Sequence, residues 1–323
     1  MTQIMGGEAS DSQVGAFMLA LRSKGETVDE LGGLVDVMLR NAVILDTGNQ
    51  AVDIVGTGGD MVGTVNVSSM AAVLASASGV PVMKHGSRSA SGKTGSSEML
   101  EVLGVRLDLS PERVADVFRE VGITFFFAPV FHPAMRYVAP IRRELGIPTT
   151  FNFLGPLANP AQPIATSLGV ANASIAPLMA QEVASRGRSA LVFRGFDGLD
   201  ELTTTDSSDI WEVAGGEVRK SVLNPSDLGL ARAKVSDLVG GDAQHNAHIA
   251  KSLFEGEFEG PVADIVRLNA AAGVVAFDLA NKPELIEEKL DERFNSALEK
   301  VTAALVDGRA AEKLSSWITA TQS

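Results

Sequence analysis

The chain contains no cysteine. That absence excludes disulfides, a thiolate zinc site and a cysteine nucleophile. Positive charge is also short: 27 Lys and Arg face 40 Asp and Glu, for a net charge of −13. A basic stripe of the kind that carries nucleic-acid binding is therefore not expected. A small anionic substrate stays possible, because a few local cations and backbone N–H groups can dominate one pocket. No run of about 18 strongly apolar residues exists, so no membrane span is expected. The N-terminal stretch MTQIMGGEASDSQ carries acids and no Lys or Arg, unlike a signal peptide. These absences point to a soluble, cytoplasmic globular protein.

What is present suits a large ordinary core: 323 residues, 45% hydrophobic and 21% charged. Surface scaling expects roughly three-quarters of the unfolded surface to be buried. The first fifty residues read as helices only. Ser10 with Gln13, and Thr27 with Glu30, form capping boxes ahead of helix-spaced apolar residues. The period then changes. Val52-Asp53-Ile54-Val55 reads as a buried strand entering the loop Gly56-Thr57-Gly58-Gly59-Asp60. Strands near 80–83, 123–127, 164–170 and 190–193 alternate with helices near 68–77, 97–103, 111–121, 132–145 and 174–186. Such alternation predicts a mostly parallel sheet covered by helices on both faces. A hairpin is expected around Gly215-Gly216, followed by helices at 243–254, 261–279, 284–305 and 309–319. The fold class is α/β, with a small N-terminal helical domain at 1–50 and a large domain at 51–142 and 163–323.

The loops carry the chemistry. Gly56-Thr57-Gly58-Gly59 lacks the third glycine of a dinucleotide fingerprint, since Met61 occupies that place. What remains is a backbone that can approach a phosphate or pyrophosphate closely, or a tight βα turn that binds nothing. Gly86 to Gly92-Lys93-Thr94 is one residue too long for a Walker A loop. The stretch Lys84, His85, Ser87, Arg88, Ser89, Ser91, Lys93, Thr94, Ser96 is still dense in donors. It follows a strand, at the sheet edge where α/β proteins bind ligands. Asp200-Glu201 alone reads as an exposed acid pair; beside a pyrophosphate site it suits Mg2+. Both are expected in a solvated loop. His245 and His248 are read as surface histidines with no third ligand. Among Arg136, Arg142 and Arg143, one guanidinium can hold a carboxylate bidentately, with surface salt bridging as the alternative.

Taken in order, GTGGD (56–60), NVSS (66–69), KHGSR (84–88), SGKTGSSEMLEVLG (91–104), HPAM (132–135), RRELG (142–146), FNFLGPLANP (151–160) and DGLDE (197–201) resemble the anthranilate phosphoribosyltransferases of tryptophan biosynthesis. The resemblance runs from about residue 5 to the C-terminus. It implies a nucleoside phosphorylase/phosphoribosyltransferase class fold, with segment 143–162 returning to the helical domain. It implies phosphoribosyl pyrophosphate and anthranilate as substrates, two Mg2+ ions per subunit and a homodimer, with no nucleic-acid or membrane partner. Carried over by position, Gly56, Gly59, Asp60, Thr64, Asn66, Val67, Ser68, Ser69, Lys84 and Ser96 would line phosphoribosyl pyrophosphate. Gly56, Ser87, Arg142, His85 and His132 would line anthranilate. Ser68, Asp200 and Glu201 would hold the metal. Three departures stand out: Ser87 replaces the family's usual Asn, Ser69 replaces a usual Thr, and the chain starts later than most relatives, which implies a weakened dimer. Pyrimidine nucleoside phosphorylases share the architecture but not the RRELG and DGLDE matches. A non-catalytic, nucleic-acid-binding relative would be expected to lose Arg142 and gain basic surface.

Overall fold

The computed structural model describes residues 1–45, 47–88, 94–256 and 259–323. Three helices open the chain: α1 (Thr2–Met5), α2 (Asp11–Lys24) and α3 (Val28–Arg40). Both capping boxes form, with Ser10 accepting from Gln13 N–H and Thr27 from Glu30 N–H. Each satisfies two helix-end donors that would otherwise have no partner. Strands and helices then alternate: β1 (Val52–Gly56), α4 (Val67–Ala77), β2 (Val82–Gly86), α5 (Ser96–Leu103), α6 (Pro111–Val121), β3 (Ile123–Phe127) and α7 (Ala128–Phe131). They continue as α8 (Ala139–Leu145), α9 (Phe151–Leu157), β4 (Ala165–Gly169), α10 (Ala176–Ser185) and β5 (Ser189–Gly195). The hairpin β6 (Ser208–Ala214) and β7 (Glu217–Leu223) follows, then α11 (Ala243–Phe254), α12 (Pro261–Asn281), α13 (Leu290–Val306) and α14 (Arg309–Gln322).

Seven strands form one sheet in the order β3-β2-β1-β4-β5-β6-β7. The first five run parallel, and β6 and β7 complete it antiparallel. Gly215 and Gly216 turn the hairpin at φ +58° and +84°, the left-handed pair a two-residue turn of this twist requires.

Strand alternation divides the apolar residues between two cores. Ile54, Leu191, Phe193 and Ile210 face one way, into a core with α4 and α12. Val55, Ala190, Val192 and Val213 face the other, against Met179 and Val183 of α10. That second core continues into Met18, Leu31, Val35 and Met38 of α2 and α3 and into Phe151, Leu154 and Leu157 of α9. Helix α12 lies close on β1: a Cβ at Gly273 would sit 2.5 Å from Ile54 Cδ1.

Two expected helices divide. The 132–145 stretch is a 3-10 turn (Pro133–Tyr137) followed by α8, whose first turn contains Pro140. Proline lacks an N–H and clashes with the carbonyl four residues back, so it is favoured in a helix's first turn and disfavoured beyond it. The 284–305 stretch divides at Glu288, which has extended backbone between a 3-10 turn and α13.

Candidate active site

The glycine loop leaves the carboxyl end of β1, at the middle of the parallel sheet. Gly58 and Gly59 have φ +68° and +88°, and a Cβ on either would meet nothing within 4 Å. Backbone conformation, not crowding, is what asks for glycine here. The loop is tied to its neighbours: Thr57 N–H donates to Gly169 O at 2.9 Å, and Thr57 Oγ1 accepts from Ala171 N–H at 3.2 Å. Past the loop, Thr64 bridges to Val239. Helix α4 then begins without a side-chain cap from Asn66. The Asn66 amide is turned away, accepting from Asn246 Nδ2 at 2.8 Å and donating to Thr94 O at 3.4 Å. An uncapped helix N-terminus favours an anion, through its unpaired N–H groups and its dipole. Here the Ser68 N–H lies close enough to the Glu201 carboxylate to favour its charged form.

Asp200 and Glu201 are buried, at 8% and 9% exposure. This corrects the expectation of a solvated loop: β4 and the glycine loop enclose the pair. A Cβ at Gly169 would lie 1.6 Å from Asp200 O, and one at Gly56 2.3 Å from Asp200 Oδ2. Asp200 Oδ2 accepts from Gly58 N–H at 2.6 Å. Burial, then the nearby Asp60 charge, pushes the Asp200 carboxyl up to about 7. Burial, then Asp200, holds Glu201 well above the usual carboxylate range. Lys84 is the nearby cation, 1% exposed, with Nζ donating to Ile54 O at 2.6 Å and Ser68 Oγ at 3.3 Å. Burial lowers its own pKa.

Raised carboxyl pKa values signal too little positive charge around the pair. A divalent cation fits that deficit. Among the described residues no cluster of three or more His, Cys, Asp or Glu could hold a metal by itself. Mg2+ suits such a place, since it accepts one or two carboxylates and completes its shell with water and phosphate oxygens.

A second group of residues surrounds the end of β2. His85 Nδ1 lies 3.0 Å from Gly155 O, and the Ala158 backbone lies close enough to the His132 ring to favour its protonated form. The two rings stand 5.1 Å apart, and each Nε2 is buried without a hydrogen-bond partner among the described residues. Burial brings His85 down to about 3, with His132 adding to the effect, and brings His132 to about 4. Both are neutral at pH 7. Ser87 is exposed, and its carbonyl accepts from Ser96 Oγ at 3.3 Å. Arg142, on α8, is half-buried and makes no ion pair among the described residues; burial lowers its pKa.

The histidine pair predicts a pH dependence of stability. Its folded pKa values lie below the unfolded value of about 6.5, so the unfolded chain binds protons first. The contribution is complete above pH 6.5 and is lost as pH falls toward 4. Each histidine is expected to cost the fold about 1.4 kcal/mol per pH unit across that window. The His85→Gln/His132→Gln variant should lose less thermal midpoint between pH 7 and 4.5 than the parent in calorimetric scans. Equal slopes would contradict the neutral, buried pair.

Val67 and Ser69 are buried at 1% and 0% exposure, with Ser69 Oγ unpartnered among the described residues. Ser89, Ser91 and Lys93 lie outside the described residues. His245 and His248 are exposed on α11, as expected of surface histidines. The reading of the residues missed Asp53, Asn159 and Asn246. Asp53 had a signal: a carboxylate inside an apolar strand must find partners or lose its charge. Asn246, between the two histidines, had none.

Residues 48–311 match the glycosyl transferase family, a/b domain, and residues 1–42 match its helical bundle domain. The anthranilate phosphoribosyltransferase of Leifsonia xyli subsp. xyli is 51% identical over 322 residues, spanning 100% of this chain and 92% of that protein. The enzyme of the same name from Arthrobacter sp. is also 51% identical, spanning 100% and 90%. The crystal structure of anthranilate phosphoribosyltransferase from Thermus thermophilus superposes with a TM-score of 0.90 at 40% identity, over 100% of this chain and 93% of that one. The Saccharomyces cerevisiae enzyme, in complex with phosphoribosyl pyrophosphate and Mg, superposes with a TM-score of 0.86 at 27% identity, over 97% and 85%.

Proposed function

The chain belongs to the anthranilate phosphoribosyltransferase family, and we infer that it transfers the phosphoribosyl group of phosphoribosyl pyrophosphate to the amine of anthranilate, releasing pyrophosphate. The observation that carries this reading is the junction of Asp200 and Glu201 with the N–H groups of Gly58 and Ser68. An acid pair set against anion-binding N–H groups is a place for a polyanion that brings its own metal.

In this reading Gly56, Gly59, Asp60, Thr64 and Asn66 line the phosphoribosyl half, with the N-terminal turn of α4 at Val67, Ser68 and Ser69. Lys84 and Ser96 complete it. Ser68, Asp200 and Glu201 would hold Mg2+, two ions per subunit, whose charge would stabilise the departing pyrophosphate. Gly56, Ser87, His85, His132 and Arg142 would line the anthranilate half, with Arg142 on its carboxylate. The amine nitrogen bonds to the anomeric carbon as the C–O bond to pyrophosphate breaks, and the nitrogen then gives its extra proton to solvent. An aromatic amine is already neutral at pH 7, so the chain's residues need only hold the two reactants in line. Neutral His85 and His132 suit a pocket for an aromatic ring.

The family resemblance also supports a homodimer and a cytoplasmic location. The same reading assigns residues 143–162 to the helical unit, supported by the packing of Phe151, Leu154 and Leu157 with α2 and α3 residues. The test of the activity is anthranilate fluorescence, which should fall only when phosphoribosyl pyrophosphate and Mg2+ are both added. Consumption of a pyrimidine nucleoside with phosphate instead would favour the phosphorylase reading.

Ser87 offers a smaller test. Its hydroxyl is shorter than the amide of the family's usual Asn, and a neutral hydrogen bond contributes about 0.5–1.5 kcal/mol. The Ser87→Asn variant should lower the anthranilate KM roughly two- to tenfold and leave that for phosphoribosyl pyrophosphate nearly unchanged. Steady-state kinetics with each substrate varied in turn would show it; a shift confined to phosphoribosyl pyrophosphate would move Ser87 to the other half-site.

A further inference from the structure

Strands β1 and β2 pair with Val52 opposite Val82, and past that point side chains bind the groups that face across. Met83 O accepts from Asn159 Nδ2 at 2.8 Å, and His85 N–H donates to Asp53 Oδ1 at 3.0 Å. Asn159 Nδ2 also donates to Asp53 Oδ2 at 2.9 Å, and Asn159 Oδ1 accepts from Ala161 N–H at 3.0 Å. Asp53 and Asn159 are 0% and 2% exposed. Their side-chain polar atoms are all taken up by these bonds. A buried carboxylate costs more than direct backbone pairing beside an apolar residue, so fold stability alone does not account for the arrangement.

Its position does. The bridge lies under the end of β2, where Lys84 reaches toward Ser68 and His85 meets Gly155. Asn159 follows α9 directly, so it ties the Gly155–Ala158 segment to the sheet at the point where that segment contacts both histidines. We propose that Asp53 and Asn159 are positioning residues that hold the anthranilate half-site in register with the phosphoribosyl half-site. This rests on the functional reading above. The pair acts through His85 and the 155–158 carbonyls, and its loss should fall on anthranilate first.

The test is steady-state kinetics on the full chain with each substrate varied, with thermal midpoints in parallel. The Asn159→Ala variant should raise the anthranilate KM about tenfold, the scale of one lost buried hydrogen bond, with the KM for phosphoribosyl pyrophosphate within about twofold. The Asn159→Ser variant, a smaller change, should move the same constant in the same direction and covers the case in which alanine does not fold. The Asp53→Asn/Asn159→Ala double variant should be no worse than the worse single variant, because the two residues form one bridge. Equal rises in both KM values, no change in either, or additive losses in the double variant would overturn the proposal. A parent protein that leaves anthranilate unconsumed would instead overturn the functional reading itself.

Discussion

The Arg142→Ala variant is expected to raise the anthranilate KM by about 10- to 150-fold, while the KM for phosphoribosyl pyrophosphate changes little. The range corresponds to the 1.5–3 kcal/mol typical of hydrogen bonds to a charged group. The physical case rests on an unsatisfied cation. Arg142 sits half-buried on α8, desolvated enough to lower its pKa, and makes no ion pair among the described residues. A guanidinium left so has a planar set of donors to offer a carboxylate, which it can bind bidentately. Lysine at this position would keep the charge and lose the fork, so Arg142→Lys should recover only part of the loss. Kinetics with each substrate varied would decide. An unchanged anthranilate KM in Arg142→Ala would remove Arg142 from the substrate pocket.

The second large effect is expected from the acid pair. The Asp200→Ala/Glu201→Ala variant should lose at least about a hundredfold in turnover, since a cation that stabilises a leaving group contributes several kcal/mol. Its fold should survive although both residues are buried. Both carboxyls are held above their ordinary values by burial first, then by the Asp60 charge at Asp200 and the Asp200 charge at Glu201, so their charge weakens the metal-free fold. The isosteric Asp200→Asn/Glu201→Gln variant keeps the volume beside Gly56 and Gly169 and should show the same loss of activity. Added Mg2+ should raise the thermal midpoint of the parent and leave both variants where they were. Near-normal activity that resists EDTA in either variant would refute the metal assignment.

Much of this protein was legible in its residues. Capping boxes, the shift from helical to strand period at Val52, and the glycine punctuation were enough to read an α/β chain with helices first. These features are local: a cap spans three residues, and a buried strand announces itself over four or five. The glycine loop, the donor-rich segment after β2 and Asp200-Glu201 could be picked out because each departs from what a core or a solvated loop would contain. The broken helix at Pro140 was legible too, in the proline itself, and was missed because the apolar spacing carried through it.

The environment of those residues was decided by the tertiary structure. Gly58 meets Asp200 across 142 positions of sequence, and Asp53 meets Asn159 across 106. Both contacts follow from the strand order, in which β1 lies between β2 and β4. The loops from the carboxyl ends of these three strands therefore crowd together, and Asp200 is carried in from beyond β5. That crowding turns an acid pair that reads as exposed into a buried one with raised pKa values. It also lets Asp53, in sequence only a polar interruption of an apolar strand, hold two parts of the site together. Local pattern reports which side chains a segment carries. How much water each side chain keeps depends on segments far away in the chain, and in this site water exclusion sets the charge states.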